Sequence, residues 1–273
     1  MNMRIRKLLV ATTILIGTQA YAVNVVVFDD PAFVDTGGAT SSESDNVQAS
    51  LISLGHTVTT FTGTSGPEWS AALAGQFILA IPELENGNLA AALSPAAASE
   101  LVTFVSNGGC LLRFAELRGS NNDFLNPVFG FSLTECSISG WDITAAATGT
   151  AFDGGPASLP DNNGTNTLTT ASLPAGSASI YERAGCTAVA VIPFGAGQII
   201  DLGWDWFSAT PGGGTQDGGW IDVLGRAVLE CDPNPAAIPT VSEWGLIVLA
   251  LLLLTAGTVI IRRERARTAM VNA

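Results

Sequence analysis

Basic side chains are scarce in this chain of 273 residues. Its 11 Lys and Arg are outnumbered by 24 Asp and Glu, and its formal net charge at pH 7 is −13. Between residues 23 and 236 there is no Lys, and the only basic side chains are Arg113, Arg118, Arg183 and Arg226. Nucleic acids and anionic membrane surfaces are bound through clusters of Lys and Arg. This composition therefore excludes both as partners of that segment.

The motifs of nucleophilic catalysis are also missing. The sequence has neither a Gly-x-Ser-x-Gly nor a Gly-x-Cys-x-Gly turn, and His56 is its only histidine. His56 and Cys110 each open an apolar run typical of a strand, which places both at the amino edge of a parallel sheet. Ligands of such sheets bind at the carboxyl edge, so a triad is not predicted and the sequence favours a non-enzymatic protein.

Both ends of the chain carry targeting features. At the N-terminus, basic residues precede an apolar run at 8–17, and Ala20-Tyr21-Ala22 has the small-x-small pattern of a cleavage site. This order predicts a secretory signal peptide over residues 1–22, read by the Sec translocon. Near the C-terminus, residues 245–261 are uncharged and Arg262 follows them in a cluster of arginines. At about 1.5 Å per residue they predict a transmembrane helix of about 25 Å, with the arginines in the cytoplasm.

A short motif, Ile238-Pro239-Thr240-Val241-Ser242-Glu243-Trp244-Gly245, precedes that apolar stretch. The motif and the apolar stretch together resemble the IPTL-CTERM sorting domain of Gram-negative bacteria, a relative of the PEP-CTERM signals. The fourth position of the family motif is usually Leu, and this chain has Val there. The resemblance assigns residues 237–273 to a sorting signal. It implies recognition by an exosortase-type enzyme after transient anchoring in the inner membrane, and then placement at the cell surface or outside the cell. The residues that carry it are Ile238, Pro239, Thr240, Val241, Trp244 and Gly245.

Strand and helix patterns alternate from residue 23 to about residue 114. Residues 23–28 form an apolar run typical of a strand buried on both faces, and a helical pattern at 43–54 ends at Gly55. Ser94-Pro95 begin another helix, with serine at the N-cap. The alternation predicts a parallel sheet covered by helices. Residues 119–185 are rich in Gly, Ser, Thr and Asn, and predict loops and short antiparallel strands.

Three segments of this body are informative: Leu54-Gly55-His56-Thr57-Val58, the stretch at 104–112, and Gly195-Ala196-Gly197-Gln198 with the Gly203-Trp204-Asp205-Trp206 that follows. They resemble the class I glutamine amidotransferase-like superfamily, and within it the ThuA-like group. The resemblance implies one secreted α/β domain over residues 23–236. Its expected fold is a flavodoxin-like three-layer sandwich with a mostly parallel sheet, an irregular β-rich insertion and the C-terminal transmembrane helix. The resemblance implies no particular activity.

The four cysteines of the chain have no CxxC spacing, which argues against a zinc site. In an exported protein they predict two disulfides. The last predicted helix follows a strand that ends at the carboxyl edge, so it returns Cys231 to the amino edge, where Cys110 begins its strand. We therefore predict the pair Cys110–Cys231, and by elimination Cys136–Cys186.

Carboxylates follow several predicted strands at the carboxyl edge, where ligands of open α/β sheets bind. Carboxylate oxygens are ligands of Ca²⁺, so this rim is a candidate calcium site, although solvated loop acids are the common alternative. The rim consists of Asp29, Asp30, Glu83, Glu85 and Glu116.

A group of tryptophans, Trp204, Trp206 and Trp220, lies near several aspartates in the sequence. Such a group is able to contact a glycan or simply to cover the sheet, and core packing is favoured. The sequence thus favours an exported, non-enzymatic protein that acts as a surface or matrix component or as a binding component. The alternatives are a metal-dependent or carboxylate-based hydrolase and a carbohydrate-binding module.

Overall fold

The computed structural model describes residues 22–37, 42–115 and 124–232, together with residues 248, 251, 252, 254 and 255. Within them the strands of one 11-stranded sheet are β1 (Asn24–Phe28), β2 (Thr57–Phe61), β3 (Ile78–Ile81), β4 (Cys110–Phe114), β5 (Glu135–Cys136), β6 (Trp141–Ile143), β7 (Ser158–Leu159), β8 (Thr167–Thr169), β9 (Ala178–Arg183), β10 (Cys186–Phe194) and β11 (Gly197–Leu202). The helices are α1 (Glu43–Ser53), α2 (Gly66–Leu73), α3 (Leu89–Ala92), α4 (Pro95–Ser106), α5 (Leu125–Phe129) and α6 (Trp220–Cys231).

One half of the sheet is parallel, in the order β2-β1-β3-β4-β11. This is the 2-1-3-4-5 order common among doubly wound α/β sheets. Its central strands β3 and β4 are buried at every residue, which explains why their sequences, apart from Arg113, are apolar runs rather than alternating patterns. The fold is thus α/β, as predicted.

The other half of the sheet is antiparallel. Strand β10 pairs with β11 through a hairpin whose turn contains Gly195 at φ 62, and the sheet continues through β9, β6 and β7. Strands β5 and β8 pair with each other, and β8 also pairs with β10. The predicted β-rich insertion is therefore built from short antiparallel strands that extend the same sheet.

Helices cover both faces of the parallel half. On one face Val25, Val27 and Leu112 pack in a cluster with residues of α1 and α6, among them Leu51 and Leu224. On the other face the side chains of β1, β3 and β4 pack in a second cluster with residues of α2 and α4: Val26, Leu79, Leu111, Trp69 and Leu101. These two apolar clusters make three layers, helix on sheet on helix.

The N-terminal ends of two helices are fixed differently. Helix α4 begins as predicted, because the Ser94 side chain accepts a hydrogen bond from the Ala97 amide at 3.1 Å and Pro95 occupies the first turn. Helix α1 has no side-chain cap on Ser42, and its first turn carries Glu43 and Asp45. In place of a side-chain cap, the Ser44 amide of this first turn donates a hydrogen bond to the Asp35 carbonyl at 3.2 Å.

Both predicted disulfides are present. Cys110 at the start of β4 is bonded to Cys231 at the end of α6, and Cys136 of β5 is bonded to Cys186 of β10. The first bridge fastens the last helix to the amino edge, as the direction of that helix predicts. The second fastens the insertion to the long strand β10.

A buried ion pair joins two neighbouring parallel strands. Arg113 of β4 and Asp201 of β11 are register partners, and the arginine Nη1 lies 2.6 Å from the aspartate Oδ1. Burial raises the pKa of Asp201, and the Arg113 charge opposes that rise.

The C-terminal tail is a separate unit, residues 232–273. The sorting motif at 238–245 and most of the predicted helix at 245–261 lie outside the described residues. The described part of the chain contains no helix whose length and hydropathy would allow it to cross a membrane. The transmembrane helix therefore stays a prediction.

Candidate metal centre

Three carboxylates from distant parts of the sequence meet at the carboxyl edge of the parallel strands. Glu43 is the first residue of α1, Glu83 follows β3, and Asp205 follows β11. One oxygen from each lies within 4.8 Å of the others, and the three residues are only 3%, 5% and 5% exposed. We call Glu43, Glu83 and Asp205 the inner set.

A second group of carboxylates shares one member with the first. Oxygens of Asp35, Glu43 and Glu85 also lie within 4.8 Å of one another. Asp35 is half-buried and Glu85 is exposed, so this group faces the solvent. We call these three residues the outer set, and Glu43 belongs to both sets.

Glu43 reaches this position because hydrogen bonds join the start of α1 to Asp35, which lies earlier in the β1–α1 connection. The Asp35 carbonyl accepts hydrogen bonds from the Ser42 hydroxyl at 2.9 Å and from the Ser44 amide at 3.2 Å. Strand β1 lies between β2 and β3, so the connections from β1 and β3 leave the sheet in different directions and open a crevice there. Glu43 and Glu83 belong to these two connections.

Asp205 is held by an unusual turn after β11. Trp206 has φ 75, a left-handed conformation that is uncommon for a large side chain. The turn is fastened to α1, since the Trp206 carbonyl accepts from Asn46 Nδ2 at 3.0 Å and the Trp206 indole donates to Ser50 Oγ at 3.1 Å. Asp205 Oδ1 accepts from the Phe207 amide at 2.7 Å. A strained turn of this kind is a frequent feature of binding sites.

A loop of the β-rich insertion, the one that contains Gly164, packs against Asp205. Gly164 has φ 76 and lies so close to Asp205 that a Cβ there would overlap Oδ2. The same loop is bound to the end of β11, because the Asn163 carbonyl accepts from the Trp204 indole at 3.0 Å. The loop therefore buries Asp205 against the sheet edge.

The site is electrostatically unfavourable when it contains only carboxylates. The pKa of Glu43 is raised to about 8, mainly by burial and to a smaller extent by the charges of Asp205, Glu85 and Asp35, while a backbone hydrogen bond opposes the rise. Burial also raises the pKa of Asp205 to about 7, although the Phe207 amide lowers it. Among the residues that the structure describes, Glu43 Oε2 has no hydrogen-bond partner. A buried, unpaired carboxylate oxygen is the kind of group that a cation satisfies.

The donor set fits a hard divalent cation. All the donors are carboxylate oxygens, and Ca²⁺ accepts six to eight oxygens at about 2.3 to 2.6 Å in irregular geometry. Two ligand oxygens on one such ion are at most about 5 Å apart, which is close to the spacing within each set.

The predicted rim divides into residues inside and outside this centre. Glu83 lies in the inner set and Glu85 in the outer set. Asp29 instead accepts hydrogen bonds from Ser44 Oγ at 2.7 Å and Gln48 Nε2 at 3.2 Å. Asp30 accepts from the backbone amides of residues 32 and 63. Glu116 lies outside the described residues.

Sequence reasoning missed Glu43, Asp35 and Asp205. Glu43 looks like an ordinary acidic residue in the first turn of a helix, and Asp205 lies between two tryptophans that draw attention to packing. A usable signal for Glu43 was its place directly after the β1 connection, at the predicted edge where ligands bind.

The three tryptophans pack in the core. Trp204, Trp206 and Trp220 are each 0% exposed, and the rings of Trp204 and Trp206 stack with centroids 4.7 Å apart. The Trp220 indole donates to the Pro160 carbonyl at 3.1 Å. In this structure no face of these rings is open to a surface glycan, which agrees with the core-packing interpretation.

We expect the cation-free protein to lose thermal stability as the pH rises from about 5 to about 8. The folded pKa of Glu43 is about 8 against an ordinary 4.5, so the folded state keeps a proton that the unfolded state has already released. The stability from this group is complete below the ordinary pKa and is lost as the pH rises through the folded value. Asp205 adds the same trend between 3.8 and about 7. Melting temperatures in EDTA across this range test it, and a flat or rising profile contradicts it.

Comparison with known proteins gives two results. The model of the IPTL-CTERM motif matches residues 236–265, and no curated protein matches the chain significantly. A cytoplasmic protein from Salmonella typhimurium aligns with a TM-score of 0.51 and 8% identity over 76% of this chain and 98% of its own, which supports the fold alone.

Weaker alignments include a ThuA-like protein and a glycosidase. The ThuA-like protein from Bacteroides uniformis has a TM-score of 0.46 and 12% identity over 81% of this chain and 95% of its own. The exo-β-1,4-mannosidase from Opitutaceae bacterium strain TAV5 has a TM-score of 0.48 and 17% identity over 75% of this chain. This chain spans only 36% of the length of that mannosidase.

Proposed function

We propose that this chain is an exported calcium-binding protein of the cell surface or extracellular matrix, without enzymatic activity. The IPTL-CTERM motif at 236–265 supports export with a sorting signal. In this proposal an exosortase-type enzyme processes the tail near residue 238, after transient anchoring through the helix at 245–261. The delivered part is the flavodoxin-like sandwich with its carboxylate centre.

The observation that carries calcium binding is the burial of the inner set around an unpartnered oxygen. Glu43, Glu83 and Asp205 converge within 4.8 Å and are almost excluded from water, and Glu43 Oε2 has no hydrogen-bond partner among the described residues. An isolated buried carboxylate costs several kcal/mol, about the scale of the whole stability of a domain. A divalent cation converts that cost into a stabilising interaction.

Calcium is favoured over magnesium for geometric reasons. The ligands are carboxylates from three separate connections, and each set offers three of them. Mg²⁺ requires near-octahedral geometry and is usually bound by only one or two carboxylates, whereas Ca²⁺ tolerates irregular sites. Extracellular modules bind Ca²⁺ with dissociation constants of about 10⁻⁴ to 10⁻³ M, and we expect a similar value here.

Titration calorimetry of the purified full chain with Ca²⁺ tests this function. We expect binding by the native protein, unchanged binding by Glu100→Gln on helix α4, and binding weaker by about tenfold or more, equivalent to about 1.4 kcal/mol, in Asp205→Asn. The control removes an acidic side chain that belongs to neither set. Absence of heat together with an unchanged melting temperature in Ca²⁺ would overturn the proposal.

A carboxylate-based hydrolase is the second candidate. It is favoured by the raised pKa values of about 8 for Glu43 and about 7 for Asp205, since an acid that keeps its proton near neutral pH is able to act as a general acid. A panel of chromogenic glycosides and esters separates the two functions. Turnover that is lost in Glu43→Gln supports the hydrolase, and no turnover above buffer rules it out for those substrate classes.

A further inference from the structure

We infer that the centre binds two divalent cations, bridged by the carboxylate of Glu43. This inference rests on the proposed cation-binding function and adds a second site to it. The inner cation is held by Glu43, Glu83 and Asp205, and the outer cation by Asp35, Glu43 and Glu85.

The spacing of the carboxylates distinguishes a site that binds one ion from a site that binds two. Within each set every pair of ligand oxygens lies within 4.8 Å, which is the span that one ion of this size can bridge. The residues group as two sets of three and not as one set of five within that span. As they are placed, one ion is therefore unable to contact all five carboxylates, whereas two ions use every one of them.

Glu43 has the properties of a bridging ligand. It is the only residue common to the two sets, it is 3% exposed, and its Oε2 has no hydrogen-bond partner among the described residues. A carboxylate has two oxygens, and two-metal sites hold their ions about 3.5 to 4 Å apart, a distance that one bridging carboxylate spans. Glu43 is also the first residue of α1, which limits how far its backbone can move.

The two sites differ in access to water. The inner set is buried and is closed by Gly164 over Asp205, whereas the outer set contains the exposed Glu85. Bound water completes the shell of the outer ion more readily, and the exposed Glu85 competes with solvent as a ligand. We therefore expect the inner ion to bind more tightly and the outer ion to exchange first.

Stoichiometry tests this inference on the purified full chain. Bound Ca²⁺ is measured by equilibrium dialysis with elemental analysis, and its affinity by calorimetry. We expect two ions on the native protein and one on the double variant Asp35→Asn with Glu85→Gln, whose remaining site keeps the tighter affinity. The matched control, Glu100→Gln with Asp142→Asn, removes two acids from α4 and β6 and keeps both ions.

Each other outcome is informative. One ion on the native protein, unaffected by the outer double variant, overturns the second site and leaves the proposed function intact. Loss of all binding in the outer double variant also overturns the inference, because it indicates a single ion that depends on the outer ligands. No ion on the native protein overturns the function itself.

Discussion

Replacing Glu43 by Gln is expected to make the cation-free protein more stable at pH 8 and to abolish its stabilisation by calcium. The pKa of Glu43 is about 8, so at this pH much of the folded protein contains a buried charge that glutamine does not carry. Glutamine has nearly the same shape, so the packing around α1 is kept. In the presence of calcium we expect the native protein to be the more stable of the two, because glutamine does not supply the anionic oxygens that bind the cation. At a free calcium concentration of about 100 times the dissociation constant, the free energy of unfolding of the native protein rises by about 2.7 kcal/mol. That gain corresponds to a rise of about 5 to 10 °C in melting temperature.

The matched control, Asp45, lies two residues after Glu43. Asp45 is also in the first turn of α1 but belongs to neither carboxylate set. Asp45→Asn removes the same charge from the helix terminus, which is worth about 0.3 to 1 kcal/mol, and keeps the calcium effect. Thermal melts of the three proteins in EDTA and in calcium give the comparison. Two results would contradict this expectation. One is that Glu43→Gln has a lower melting temperature than the native protein in EDTA at pH 8, and the other is that calcium still stabilises the variant fully.

Removing the disulfide between Cys110 and Cys231 is expected to lower the free energy of unfolding by about 3 to 5 kcal/mol. The bridge closes a sequence separation of 121 residues, so it restricts the unfolded chain strongly. It also ties α6 to β4, and α6 contributes Trp220, Leu224 and Val228 to the core. Chemical denaturation of Cys110→Ala with Cys231→Ala measures the loss.

Hydrogen exchange distinguishes this bridge from the other. We expect the amides of α6 to lose protection in the Cys110→Ala, Cys231→Ala variant, because the helix end is no longer fastened to the sheet. The Cys136→Ala, Cys186→Ala variant removes a bridge of sequence separation 50 and leaves α6 protected. The Cys110–Cys231 bridge does not have this role if the Cys110→Ala, Cys231→Ala variant has a free energy of unfolding within about 1 kcal/mol of the native value and α6 is still protected in both variants.

The parallel half of the fold could be predicted from the sequence because each of its strands and helices has a clear local sequence pattern. The apolar runs of β1, β3 and β4 and the Ser94-Pro95 helix start are independent indications of the same alternation. The direction of α6 then predicted the partner of Cys110. The short strands β5 and β7 have two residues each, too few for a hydrophobic period, so their pairing was not predictable.

The centre itself was only half predictable. Glu83 and Glu85 follow a recognisable strand, so the edge rule finds them. Glu43 required knowledge of how the β1 connection folds back on Asp35, and Asp205 required the left-handed turn at Trp206. Asp29 obeys the edge rule, but its oxygen is used by Ser44 and Gln48 of α1. Position after a strand predicts nearness to the site, and hydrogen bonding decides which acids remain available.

An anomalous difference map from crystals grown with Mn²⁺ tests the central claim most directly. Mn²⁺ accepts the same oxygen ligands and scatters anomalously, so it marks the occupied position. The account predicts a peak within about 2.6 Å of carboxylate oxygens of Glu43, Glu83 and Asp205. Fully occupied Mn²⁺ peaks elsewhere on the molecule, with no density among these three residues, would contradict it.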